Sequence, residues 1–257
     1  FSKEILPYIL GNTGDLNSDA QVRAITFLKE WNHIESVDSE ATLVFHSICN
    51  EIIKNIFYDE LSLLGENYFK TFTSLKYITK RSLRSILKGK HNSWVDDIRT
   101  KNKNENIEEI IQRSIKTGIE LVVSKYGPNW SNWKWGEAHS LTHKHILGRN
   151  KILNYLFNFN IGPFLSGGSD VTPNAGGYSL HKGFYQTSGA SMRRIVDFSN
   201  LNNTQMIIPT GQSGLHRSPH YSDQAELYHK GLYRTTWFDK DSIINRVDIK
   251  HLELYPN

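Results

Sequence analysis

The chain has 257 residues, 38% hydrophobic and 22% charged, which is enough for one large domain or two modest ones with a core of their own. No apolar run approaches the roughly 18 residues a membrane-spanning helix needs, and residues 1–5 lack the charged start and apolar stretch of a signal peptide. The formal charge of +4 is scattered apart from Lys80, Arg81, Arg84, Lys88 and Lys90, a cluster read as a solvated helix face rather than a nucleic-acid surface.

The chain opens on Phe1 instead of Met, so its start is expected to lie downstream of the true one. Its first half reads as helical. Val22, Ile25, Leu28 and Trp31 recur at three-residue spacing after a capping Ser18 or Asp19. A second helix is predicted from Ser39, with Ala41, Phe45, Ile48, Ile52 and Ile56 on one face. Cys49, the only cysteine, falls on that apolar stripe and reads as a small core residue, so no internal disulfide forms. A third helix is predicted over residues 73–87. A fourth, over 105–126, carries Ile107, Ile111, Ile115, Ile119 and Val122, and Gly127-Pro128 stops it.

After Pro128 the period changes. Strand-like runs at 137–145, 191–199 and 204–208 alternate with glycine-rich turns, and one late helix is expected from about Ser222, as its cap, to Lys230. Helices first and strands second make an α+β arrangement, divided here as 1–128 and 129–257.

The chemistry legible in this pattern is thin. Gly211-Gln212-Ser213-Gly214-Leu215 is not a nucleophile elbow, because Leu215 stands where the second glycine belongs and no helix follows at once. If 137–145 is a strand, His139, His143 and His145 share a face. Two or three such imidazoles suit zinc, yet no H-E-x-x-H or cysteine pair completes a site, and satisfied histidines are the simpler reading; no metal residue is assigned. The Gly167-Gly168-Ser169-Asp170 and Asn174-Ala175-Gly176-Gly177 segments read as tight turns, and Gly211–Gly214 as a turn with positive φ.

Four segments in the second half are specific together. Trp133-Lys134-Trp135-Gly136-Glu137-Ala138-His139 resembles the W-x-W-G-x-x-H segment of penicillin amidase β chains. Gly167-Gly168-Ser169-Asp170 with Asn174-Ala175-Gly176-Gly177-Tyr178 is similar to that family's G-G-S-D…N-A-G-G-Y turn. The run 188–197 resembles its G-x-S-x-R-x-I-V-D strand, and 209–214 with 218–224 its P-T-G-Q-S-G…S-P-H-Y-x-D-Q.

The resemblance implies an N-terminal-nucleophile hydrolase, a four-layer α/β/β/α sandwich of which this helical half and strand-rich half form part. It implies hydrolysis of a linear amide by a serine that self-cleavage places first in the β chain, with the serine's α-amine as base. That serine, the oxyanion asparagine and the calcium ligands match no position here and are expected upstream, so no cofactor is assigned to this chain. The one catalytic candidate is Asp197, at the V-D-F position where some relatives place a carboxylate supporting a histidine. The implied partners are the rest of the precursor (α chain and early β chain) and a small amide substrate, with neither nucleic acid nor membrane, in the periplasm or outside the cell. An enzyme part predicts strands without partners inside the chain; a non-catalytic binding or structural module on the same scaffold predicts a closed sheet.

Overall fold

The computed structural model describes residues 1–246 and 253–255. In chain order the helices are α1 (Ser2–Gly11), α2 (Asp19–Glu30), α3 (Glu40–Leu63), α4 (Glu66–Ser74), α5 (Lys76–Leu87), α6 (Ile107–Tyr126), α7 (Trp135–Ala138), α8 (Lys151–Phe157), α9 (Ala225–His229) and α10 (Lys240–Ile244). The strands are β1 (Leu141–His143), β2 (Ile161–Phe164), β3 (Gly176–Ser179), β4 (Gly183–Gly189), β5 (Arg193–Ile195), β6 (Thr204–Ile207) and β7 (Arg234–Thr236). No helix among the described residues is long and apolar enough to cross a membrane.

Contacts divide the chain into two compact units. The first joins Phe1–Leu141 with Leu165–Gly189; the second joins Thr142–Phe164 with the chain from Ala190 onward. This division does not coincide with the change of period at Pro128, because the β3–β4 hairpin packs within the helical unit.

In the first unit the helices start where local chemistry places them. Ser18 and Ser39 accept from the amides of Gln21 and Thr42, supplying acceptors to donors that a helix start leaves unpaired. Asn106 and Glu109 form a reciprocal capping box at α6, and Gly127 ends that helix at φ 84°. α3 has no polar face over the nine residues from Ala41 to Cys49, all buried, so it runs through the core. Each fully buried Ile or Leu there contributes about 1.5–3 kcal/mol against exposure. Gly118 of α6 lies directly on α3: a Cβ added there would sit 2.9 Å from the Ile48 Cα. Ser47 Oγ donates to the Gly118 carbonyl at 2.8 Å across the same contact.

Several expectations are corrected. The helix predicted over 73–87 is α5, which starts at Lys76 after a break at Leu75 (φ −82°, ψ 61°) that ends the unpredicted α4, and Thr79 Oγ1 donates back to the Phe72 carbonyl across the break. The basic cluster is not all solvated, since Lys80 pairs with Asp170 and Arg84 with Glu4. The strand predicted over 137–145 shrinks to β1, and His139 instead follows α7, its amide bonded to the Trp135 carbonyl at 2.7 Å. His139 therefore belongs to the first unit and His143 and His145 to the second, and the shared face dissolves. Cys49 is buried as read, which pushes its thiol up.

The second unit has little core: Phe159, Ile207, Ala225 and Tyr228 are its buried apolar residues among those described. β6 lies between β5 and β7 in an antiparallel sheet, with Arg193 opposite Ile207 and Thr204 opposite Thr236. β1 pairs with β2. The strand expected over 191–199 is only β5, because the chain turns at Asp197. The late helix starts at Ala225, three residues after the predicted cap, and Ser222 makes a turn through its carbonyl instead.

Candidate functional site

The family-like segments of the first unit, separated in sequence, converge on α3. Trp135, fully buried, lies between two imidazoles: His46 stacks on it at 4.6 Å and 16°, and His139 at 4.6 Å and 13°. Its indole N–H donates to the Gly168 carbonyl at 2.8 Å. The Tyr178 hydroxyl donates to Asn50 Oδ1 at 3.0 Å, which leaves its oxygen to accept from His46 Nδ1 at 3.1 Å. His46 Nε2 then faces Glu35 Oε1 at 3.3 Å, close enough for an ion pair but off the hydrogen-bond line.

Glu35 sits in the loop between α2 and α3, and the Gly167-Gly168 turn closes on it. The Gly168 amide donates to the Glu35 carbonyl at 2.7 Å, and a Cβ on Gly167 would come within 2.8 Å of that oxygen. Only glycine lets the two backbones meet here. Burial opposes the charge on Glu35, but His46, the Ser169 hydroxyl and the Lys80 ammonium outweigh it and bring its carboxyl below the ordinary range. His139 goes the other way from an ordinary histidine. Burial pulls it down to about 4 although its Nδ1–H donates to the Phe184 carbonyl at 2.6 Å. Its Nε2 is buried with no well-aligned hydrogen-bond partner, and the Gly176 backbone beside the ring favours its proton without offsetting the burial. Enclosure makes this cluster a scaffold that locks the motif turns, not a place where substrate is met.

Two hydroxyl–imidazole pairs lie in the same unit. Thr73 Oγ1 is 2.6 Å from His181 Nε2, but the hydroxyl also bonds back to the Phe69 carbonyl at 2.8 Å within its own helix. With its proton given to the helix carbonyl, the hydroxyl oxygen is left to accept from the ring, which is i−4 back-bonding rather than an activated nucleophile. Ser2 Oγ lies 3.1 Å from His33 Nδ1. Burial, then Lys3 and the chain's amino group, lower His33, which weakens it as a base. Neither pair has the carboxylate that would orient its imidazole. A cavity of about 460 Å³ opens between α3, α6 and the β3–β4 turn, lined by Glu51, Tyr58, Phe69, Leu121, Tyr126 and His181.

In the second unit the two late motifs are one folded structure. The Gln224 amide donates to the Thr210 carbonyl at 2.9 Å and the Ser213 amide to the His220 carbonyl at 3.0 Å. Gly211 is needed for close approach and not for positive φ: a Cβ there would lie 2.1 Å from the His220 carbonyl oxygen, and neither Gly211 nor Gly214 has positive φ. Ser213 Oγ accepts from the Leu215 amide at 3.2 Å, a turn role. Asp223 bridges His220 and Arg234, each at 3.1 Å; these partners outweigh its burial and hold its carboxyl below the usual range. Asp197 lies two residues beyond β5 and is exposed, its Oδ1 accepting from the Ser199 hydroxyl at 2.7 Å and the Ser199 amide at 2.9 Å. Those bonds lower its carboxyl. Arg193 covers the Tyr228 ring at 3.9 Å and donates to the Tyr228 carbonyl at 2.8 Å.

A family model described as Penicillin amidase matches residues 1–245. The chain belongs to the penicillin amidase family. Among curated relatives, the acyl-homoserine lactone acylase QuiP of Pseudomonas syringae pv. syringae is 29% identical over 213 residues, 82% of this chain and 26% of that protein. The QuiP of Pseudomonas aeruginosa is 27% identical over 236 residues, 86% of this chain and 27% of that protein. A thermostable penicillin G acylase from Alcaligenes faecalis matches in structure with a TM-score of 0.55 at 18% identity, over 99% of this chain and 46% of that one. The fold is therefore that of the N-terminal-nucleophile hydrolases, mixed helix and strand. The chain spans about a quarter of the length of the curated relatives it matches.

The sequence alone missed Glu35, His46 and Lys80. One signal for His46 was present: α3 reads apolar all round at its start, and a histidine inside such a helix must find buried partners.

Proposed function

We propose that this chain is the carboxy-terminal part of an amidohydrolase that cleaves a linear amide, either the acyl side chain of a β-lactam or an N-acyl homoserine lactone. The serine nucleophile, its α-amine base and the oxyanion donors lie in polypeptide outside these 257 residues, and self-cleavage of the precursor exposes them; this chain by itself turns over no amide. The family match over residues 1–245 carries this reading. The relatives' names support it, since each denotes removal of an acyl group from an amine. The open edges of the β5–β6–β7 sheet weigh the same way: β5 and β7 each have one neighbour among the described residues, where a self-contained binding or structural module needs closure or cover.

Within this reading Asp197 supplies the carboxylate that orients a histidine contributed by the remainder of the precursor. Its exposure and lowered carboxyl keep it ionised and reachable for that task. The mature enzyme works in the periplasm, as exported members of the family do.

The test is expression of the complete gene product. Mass spectrometry is expected to find a cleavage that leaves serine at a new amino terminus, and the processed protein is expected to release acid from penicillin G or from acyl-homoserine lactones. A full-length product that stays uncut and inert on both substrate classes sinks the proposal. Asp197→Asn is expected to lower kcat with little change in KM, and unchanged kcat removes Asp197 from the mechanism.

A further inference from the structure

We infer that His143 and His229, in the second unit, form a two-imidazole site for a divalent transition-metal cation of the zinc and copper class. Their Nε2 atoms stand 3.2 Å apart, from residues 86 positions apart in the chain. With metal–nitrogen bonds of about 2.05 Å, two nitrogens at that separation subtend roughly 100° at the metal, between the square-planar angle suited to copper and the tetrahedral angle suited to zinc. A bite of that size is what cis ligands require.

The pair is held rather than merely adjacent. Phe164 on β2 stacks on His229 at 4.0 Å and 13°, and meets the His143 ring at 6.4 Å. Tyr228 packs edge-on against His229 at 5.3 Å. Both rings are half-buried, so an apolar wall backs the two nitrogens. Nearby charge is mixed. Glu226, one turn before His229, favours a cation; the Arg193 guanidinium opposes one, but Tyr228 engages it by ring and carbonyl.

Without a metal, one Nε2 carries a proton and donates to the other, since two bare lone pairs would repel. Metal entry needs both lone pairs. The donating ring therefore moves its proton from Nε2 to Nδ1, and no net proton is released. Among the described residues no third histidine, cysteine or carboxylate joins the pair, so the protein supplies two ligands. Water, or an oxygen of an incoming ligand, fills the remaining positions. Affinity follows the order for imidazole sites, Cu²⁺ above Zn²⁺.

The experiment is Cu²⁺ titration of the full chain followed by electron paramagnetic resonance, with His143→Gln, His229→Gln and, as a surface control, His220→Gln. One equivalent is expected to bind with a two-nitrogen signature; each pair variant is expected to weaken binding at least tenfold and to leave a single nitrogen, with His220→Gln unchanged. Two nitrogens persisting in the His143→Gln/His229→Gln double variant would overturn the assignment, as would unchanged affinity in His229→Gln. Because a variant that misfolds also loses metal, crystals of the unaltered protein soaked in Zn²⁺ give an independent reading. An anomalous peak within bonding distance of both Nε2 atoms supports the site, and its absence at saturating Zn²⁺ refutes it.

Discussion

The two units spend their apolar residues differently. The first gathers many of them into one core: α3 is buried along most of its length and a single cluster runs from Ile5 on α1 to Tyr178 on β3. The second leaves them outside. On α8, Ile152, Tyr155, Leu156 and Phe157 are all exposed, with Ile146 and Leu147 just before them. A seven-residue helix that leaves four of its apolar side chains exposed is not stable by its own propensity. The contrast separates a unit that closes its core from within from a unit whose apolar faces lie open among the described residues.

The sharpest way to break this comparison is to empty the first unit. Trp135→Ala removes the ring between two imidazoles and the donor to Gly168, and a loss of about 3–5 kcal/mol in urea unfolding is expected. A loss below 1 kcal/mol would mean that the cluster is not the keystone of the core. Glu35→Leu follows closely, at about 3 kcal/mol, because breaking a buried pair costs more than the pair contributes. Restoring part of that loss with His46→Leu in the same chain would show the two act as a unit.

Acid should act on the first unit through His139. Its folded pKa near 4 lies below the ordinary 6.5, so the unfolded chain takes up the proton first. Stability therefore falls as pH drops through that window, by at most ~1.4 kcal/mol per pH unit, and Glu35 adds to the loss below its ordinary pKa of 4.5. Thermal melts between pH 7 and 4 read this slope, and His139→Gln should flatten it; an unaltered slope assigns the sensitivity elsewhere. The smallest effect is expected on α8, where Ile152→Ser should change the unfolding energy of this chain by no more than about 0.5 kcal/mol. The same change in the complete gene product is expected to cost more, and equal costs in both would mean that α8 is never covered.

What the sequence revealed follows the range of the interactions. Helix stripes and caps are local, so Ser18, Ser39 and the Gly127 stop were legible, as was the core role of Cys49. The break at Leu75 was not, because the apolar period continues across it and only backbone angles betray the turn. His139 was misplaced on a strand since its neighbours alternate acceptably, whereas stacking on Trp135 and α3 decides its conformation. Glu35, His46 and Lys80 meet the motif turns only after the chain folds back by about a hundred residues, and no spacing rule spans that. The family-like segments located the region correctly because they mark the turns that do the meeting.

The contact at Gly118 has one more consequence. With the backbone of α6 seated on Ile48, no side chain lies between the two longest helices at that point to act as a cushion. A single added methyl at position 118 would act as a shim at a pivot, and the tilt it imposed would grow toward the ends of α3, one capped by Ser39 and the other closing at Leu63. Tolerance for error at the crossing is therefore set by the far tips of the helices, several turns from the place where the error is made.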